Sequence, residues 1–105
     1  MTAYVYQGAT APEAVELVVA PSAALPDLSV VTAATITAER ADGAAPATWT
    51  ADITAQSSSS LTLRHVLADG DVDWRGALFL TANLATPGGT RRTEPARLEV
   101  RARVA

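Results

Sequence analysis

"ATWTADITA" (residues 47–55) alternates without a break: Trp49, Ala51, Ile53 and Ala55 fall on one side, Thr48, Thr50, Asp52 and Thr54 on the other. Successive side chains of a strand point to opposite faces, so this period of two predicts a half-buried antiparallel strand. Immediately upstream, "VVTAATITAER" (30–40) places Val30, Ala34, Ile36 and Ala38 on one face. "ADG" (41–43) separates the two runs, and Gly43 accepts the positive φ that a tight turn asks for. A pair of strands around one turn is therefore expected.

The pattern continues outward. "AVELVVA" (14–20) is a short apolar run between Pro12 and Pro21 and reads as the first strand of the sheet body. "PSAALPDLS" (21–29) is a loop, because its two prolines remove backbone donors. After the polar loop "QSSSS" (56–60), "LTLRHVL" (61–67) turns Leu61, Leu63, His65 and Leu67 to one face. "ADGDVDWRG" (68–76) is a tight acidic connection. "ALFLTANLAT" (77–86) faces Leu78, Leu80, Ala82 and Leu84 inward and leaves Phe79 outside, and "PGG" (87–89) is the next turn. "RLEVRARVA" (97–105) sends Leu98, Val100, Ala102 and Val104 inward and Arg97, Glu99, Arg101 and Arg103 outward. No segment carries a helical stripe of useful length. About seven short strands with frequent turns predict an all-β fold, an immunoglobulin-like antiparallel β-sandwich forming a single domain over residues 1–105. "TAYVYQG" (2–8) also alternates, and residues 1–12 form either an edge strand of the same domain or an arm that pairs with a neighbouring chain.

Composition narrows the function classes. Apolar residues make up 49% of the 105, much of it alanine, and aromatics only 5%, so a thin, alanine-rich core is expected. With no cysteine, disulfides and thiolate metal sites are excluded. No run approaches a membrane span, and "MTAYVYQGAT" has neither the basic start nor the apolar stretch of a signal peptide, so the chain is expected to be made in the cytoplasm and either to stay there or to leave by a route needing no signal. A net charge of −3 argues against nucleic acid as a partner. The charge is uneven: residues 1–60 hold six acids and only Arg40, whereas residues 61–105 hold seven arginines and five acids. Either the two ends are simply solvated differently, or acidic and basic faces of neighbouring copies meet head to tail.

The candidate chemistry is sparse. Asp69, Asp71 and Asp73 have the D-x-D-x-D spacing of a hard-cation loop, but Trp74 stands where the bend glycine belongs and Leu80 where the closing glutamate belongs. The acids are read as capping backbone amides at a corner, and no metal or other cofactor is expected. His65 is the only histidine, lacks a nucleophile context, and is expected in the core or at an interface. "PGGTRR" (87–92) joins two strands rather than a strand and a helix, so it is a hairpin, with Arg91 and Arg92 expected at its tip where an acidic partner surface could meet them, and not a phosphate loop. Trp49 is expected between the sheets, and Trp74 as a half-buried plug or an interface anchor. No residue is assigned a catalytic role. The residues singled out for protein contacts are Tyr4, Tyr6, Trp74, Phe79, Arg91 and Arg92.

"DLSVVTAATITAERADG" (27–43) and "LADGDVDWRGALFLTANLATPGGTRRTEPARLEV" (67–100) together resemble small immunoglobulin-like domains of tailed-phage virion proteins, in particular the N-terminal domain of phage baseplate upper proteins. The likeness lies in a D-L-S opening, an alternating strand closed by D-G, an acidic corner leading through Gly76 into a strand, a P-G-G hairpin, and a final L-x-V strand. It covers about residues 14 to 104. Leu78 stands where such domains often carry an aromatic, so no tyrosine corner is expected. The resemblance implies a non-enzymatic structural role in the tail, neck, baseplate or capsid surface of a virion assembled in the host cytoplasm. It implies as partners other phage structural proteins and further copies of the chain, with neither nucleic acid nor membrane. A carbohydrate-binding or adhesion module is the alternative, and would carry a row of outward aromatics.

Overall fold

The structure, a computed structural model, describes residues 3–23 and 25–102. Its strands are β1 (Ala3–Tyr6), β2 (Ala14–Val19), β3 (Ala33–Arg40), β4 (Ala47–Gln56), β5 (Leu61–Val66), β6 (Gly76–Thr86), β7 (Gly89–Arg92) and β8 (Ala96–Arg101). A single 3-10 turn, Leu28–Val30, precedes β3. The fold is all-β, as the alternation predicts.

The strands form one curled mixed sheet in the order β1-β8-β6-β3-β4-β5-β2, with β7 added to the far half of β6. β4 makes the curl. Its first half, Ala47–Ala51, pairs with β3, and its second half, from Asp52 on, pairs with β5. The register shifts between Ile53 and Ala55, a bulge that bends the strand. Two core clusters draw on both halves of the curled sheet. Val15 and Leu67 pack with Ile36, Trp49, Leu78 and Leu98 towards one end. Val19, Leu61 and Leu63 pack with Leu28, Val31, Ala82 and Leu84 towards the other.

Several expectations are revised. The first is strand direction: β1 pairs with β8 in parallel, Tyr4 beside Glu99 and Tyr6 beside Arg101, while the other pairings are antiparallel. Residues 3–6 are thus an edge strand of this chain. Val30 was expected inward with β3, but it lies in the 3-10 turn and is exposed, and Val31 is buried instead. The turn is held by the Asp27 side chain, which accepts from the Ser29 N–H, and it shifts the alternation by one residue. Ala55 is exposed because the bulge ends the pattern of "ATWTADITA" two residues early. Ala102 is exposed beyond the end of β8, and Arg103 and Val104 lie outside the described residues.

The core is not alanine-rich. Among the buried apolar residues only Ala9, Ala38 and Ala82 are alanines, and leucine and valine make up most of the rest. The alanines at 33, 41, 44, 45, 47 and 55 are exposed at strand ends and turns. A buried leucine contributes roughly 1.5–3 kcal/mol, so the interior is stronger than bulk composition implies.

Candidate interaction surfaces

The acidic connection between β5 and β6 closes over one end of the core. Val72 is buried there, and its carbonyl accepts from the Gly8 N–H, tying the corner to the segment after β1. Of the three aspartates, Asp71 does the capping. Its Oδ2 accepts from the Ala68 N–H and lies 2.8 Å from His65 Nε2. On its other side, His65 Nδ1 is 2.7 Å from the Thr50 carbonyl. A carbonyl only accepts, so Nδ1 carries the hydrogen on that side of the ring. The ring stacks on Trp49 with centroids 4.5 Å apart. His65 and Trp49 are both core residues, as expected. The side chains of Asp69 and Asp73 make no hydrogen bond among the described residues, nor is there a group of three or more acid, histidine or cysteine side chains placed to hold a metal ion.

Trp74 is half-buried and packs against the core cluster of that end. The Arg40 guanidinium lies 4.1 Å from the centre of its ring and pairs with Asp42 at 2.6 Å. The Ala44 N–H, followed by Arg40, holds the Asp42 carboxyl below its ordinary value. Gly76, at φ +137°, leaves room for the ring: a Cβ there would sit 2.8 Å from Trp74 Cζ3. Trp74 thus plugs the corner.

Directly paired residues share a face of the sheet, which places the remaining aromatics. Tyr4 and Tyr6 lie opposite Glu99 and Arg101, and Phe79 lies between Glu39 and Arg97. All are on the outer face, the one away from Val5, Leu78 and Leu98. The two tyrosines are 46% and 42% exposed and meet edge-on at 5.6 Å, with Arg101 lying 3.9 Å from the centre of the Tyr4 ring. Phe79 is 36% exposed. Along β6 the face continues into a polar patch, where Asn83 Nδ2 donates to Thr37 and Thr35. Sequence reading isolates Phe79 as the one placed outward aromatic; the parallel register of β1 adds both tyrosines to the same face.

Arg91 and Arg92 are not at a hairpin tip. They belong to β7, opposite Leu84 and Asn83, so Arg91 shares the face that bears the core. β7 and the end of β2 flank a groove of about 590 Å³. Val18 and Val19 line one wall, Arg91 and Arg92 the other, and the buried Leu28 and Leu84 close the bottom. Val18 is 67% exposed, the most exposed large apolar side chain among the described residues. Neither arginine has an ion pair among the described residues. The structure brings Tyr4, Tyr6 and Phe79 to one face, puts Trp74 at the opposite end from the groove, and joins Arg91 and Arg92 to β2. The part of β2 in this groove has no signal in the sequence beyond an apolar run.

Comparison with known protein families, with curated proteins and with solved structures finds no match.

Proposed function

We propose that the protein is a non-enzymatic structural component of a tailed-phage or prophage-derived virion, an immunoglobulin-like module that makes protein–protein contacts in the tail, neck, baseplate or capsid surface. The pairing scheme supports the immunoglobulin-like part of this reading: β2–β5 with the second half of β4 corresponds to strands B, E and D, and β3–β6–β8 to C, F and G. The observation that carries the functional part is the clustering of exposed contact groups at open sheet edges. Tyr4 and Tyr6 stand on edge strand β1, while Arg91 and Arg92 stand on β7 beside Val18 of edge strand β2. Aromatic and arginine side chains dominate binding energy in protein interfaces, and open edges are where further chains add.

The test is incorporation into particles. Mass spectrometry of purified virions from a host carrying the surrounding genes is expected to find the wild-type chain in several copies. Tyr4→Ser with Tyr6→Ser leaves Val5 and the core untouched, so the variant is expected to fold and to be depleted from particles. Absence of the wild-type chain from every particle would overturn the virion reading.

A carbohydrate-binding or adhesion module is the second reading. One observation favours it: Tyr4, Tyr6 and Phe79 share one face with Arg97, Glu99 and Arg101. Quenching of tyrosine fluorescence by an oligosaccharide, lost in the same double variant, would select this reading over the first.

A further inference from the structure

The groove beside β2 has the features of a place for a strand. The Leu67 N–H donates to the Glu13 carbonyl, which marks Glu13 opposite Leu67 as a pair in hydrogen-bonding position at the start of the β2–β5 ladder, although the Glu13 N–H itself goes to the Thr10 carbonyl. In an antiparallel ladder such pairs alternate with unbonded ones. The register runs without a shift from Ala14–Val66 to Val19–Leu61, so Val15, Leu17 and Val19 bond to β5. Ala14, Glu16 and Val18 then direct their N–H and C=O groups away from the sheet, at the two-residue spacing that only an extended backbone meets. The facing wall is open as well among the described residues: there β1 pairs with β8 from Leu98 onward and makes no pairing with β7. In an immunoglobulin-like pairing scheme a further strand lies beside the equivalent of β2, and no described residue of this chain occupies that position.

The lining states what the occupant must be. The bottom, formed by Leu28 and Leu84 with Leu17 and Val19 beside them, is apolar. The far rim carries Arg91 and Arg92 against a single acid, Glu94. We infer that this groove accepts an extended segment of a neighbouring protein, apolar at alternate positions and bearing a carboxylate, which adds to the β2 edge and sets its acid against Arg91, the arginine of β7 on the core-bearing face. Main-chain bonds to Glu16 and Val18 supply affinity, and the alternate side chains and the acid supply selectivity. This deepens the assembly reading and rests on it, naming the kind of segment a partner must offer.

The test uses the whole chain and a library of random decapeptides displayed as mRNA fusions, followed by the enriched peptides in synthetic form. Enriched sequences are expected to alternate apolar residues and to carry Asp or Glu. Binding is expected to weaken at least tenfold in Arg91→Glu, much less in Arg92→Glu, whose side chain shares the outer face of Asn83, and to weaken as salt rises. Bound peptide is expected to slow amide exchange at Glu16 and Val18 at least tenfold. Val18→Pro removes an outward N–H, which edge strands tolerate, and is expected to abolish binding with the circular dichroism spectrum unchanged. If that variant misfolds, the exchange measurement on the wild type decides. Three results would overturn the inference: no enrichment, enrichment without acids or without sensitivity to the Arg91 variant, or protection elsewhere than β2. Self-association of the free protein through β2, lost in Val18→Lys, would overturn it in favour of a second copy. Particle incorporation without peptide binding would leave the virion reading standing and remove only the groove, and peptide binding by a chain never found in particles would do the reverse.

Discussion

Replacing Asp71 by alanine tests how the corner is held. The Asp71 carboxyl accepts from the exposed Ala68 N–H at 2.8 Å and is hydrogen-bonded, also at 2.8 Å, to Nε2 of the buried His65 ring. Ala68 recovers water when the acid is removed, so that bond represents a net loss of about 0.5–1.5 kcal/mol. The His65 side chain is only 7% exposed, and its Nε2 is left without a partner, which costs about 1–3 kcal/mol. The sum is about 1.5–4.5 kcal/mol, a large share of the roughly 5–15 kcal/mol typical of a domain. At roughly 4–6 °C per kcal/mol for a chain this short, the melting temperature is expected to fall by about 6–27 °C. Asp73→Ala is the control: its carboxylate bonds to nothing described, and the Gln7 side chain donates to its backbone carbonyl, which the substitution retains. The control is expected within about 0.5 kcal/mol of wild type. Urea unfolding followed by tryptophan fluorescence reads both, since Trp49 stacks on His65. A double-mutant cycle with His65→Leu is expected to show a coupling of about 1 kcal/mol or more. Equal midpoints for the Asp71 and Asp73 variants, or additive effects in the cycle, would refute the account.

Other expectations concern neighbouring features. Gly76→Ala combines a left-handed φ with a contact of 2.8 Å to the Trp74 ring, and is expected to destabilise by about 1–3 kcal/mol and to shift Trp74 emission. Gly70→Ala, at φ +88° with nothing within 4 Å, is expected to cost less in the same unfolding assay. Millimolar calcium is expected to leave the melting temperature unchanged, because Asp71 is committed to His65 and Ala68; a ligand at 100 times its dissociation constant would add about 2.7 kcal/mol, which calorimetry detects easily. Asp27 is held below its ordinary carboxylate value of 3.8, first by the Ser29 hydroxyl and then by the Ser29 N–H. A lowered folded value stabilises above 3.8, and that contribution is lost as pH falls further. Acid titration is expected to loosen the turn ahead of β3 only below that point, and Asp27→Asn is expected to flatten this part of the profile.

The all-β fold was legible because the period of two survives in "LTLRHVL" and "ALFLTANLAT", whose expected inward residues are all buried. Errors came where local geometry interrupts the period. The Asp27 cap shifted the phase at Val30, and the bulge after Ile53 turned Ala55 outward. Neither leaves a strong composition signal, since Asp-Leu-Ser and Ala-Gln-Ser read as ordinary loop chemistry. The thin-core expectation failed because composition counts alanines wherever they lie, whereas burial selects leucine and valine. Of the surface residues singled out, Phe79 was placed by alternation alone. Its grouping with Tyr4 and Tyr6 depends on β1 pairing with β8, ninety-odd residues away, which a local pattern does not encode. The groove was beyond reach for the same reason: β2 and β7 meet across it although they are neither adjacent in sequence nor paired with each other.

The parallel pairing of β1 and β8 also has a mechanical consequence. The described chain enters β1 at Ala3, beside Leu98, and leaves β8 at Arg101, beside Tyr6, so the two strands run the same way with their outer ends at opposite limits of the ladder. Tension applied between those ends pulls the strands past each other along their length. The load falls in shear on all four residue pairs together rather than peeling them one at a time. Val5, packed against the core cluster, must slide with them. Forced unfolding is governed by the unfolding barrier, and this geometry places that barrier at the seam between the first strand and the last.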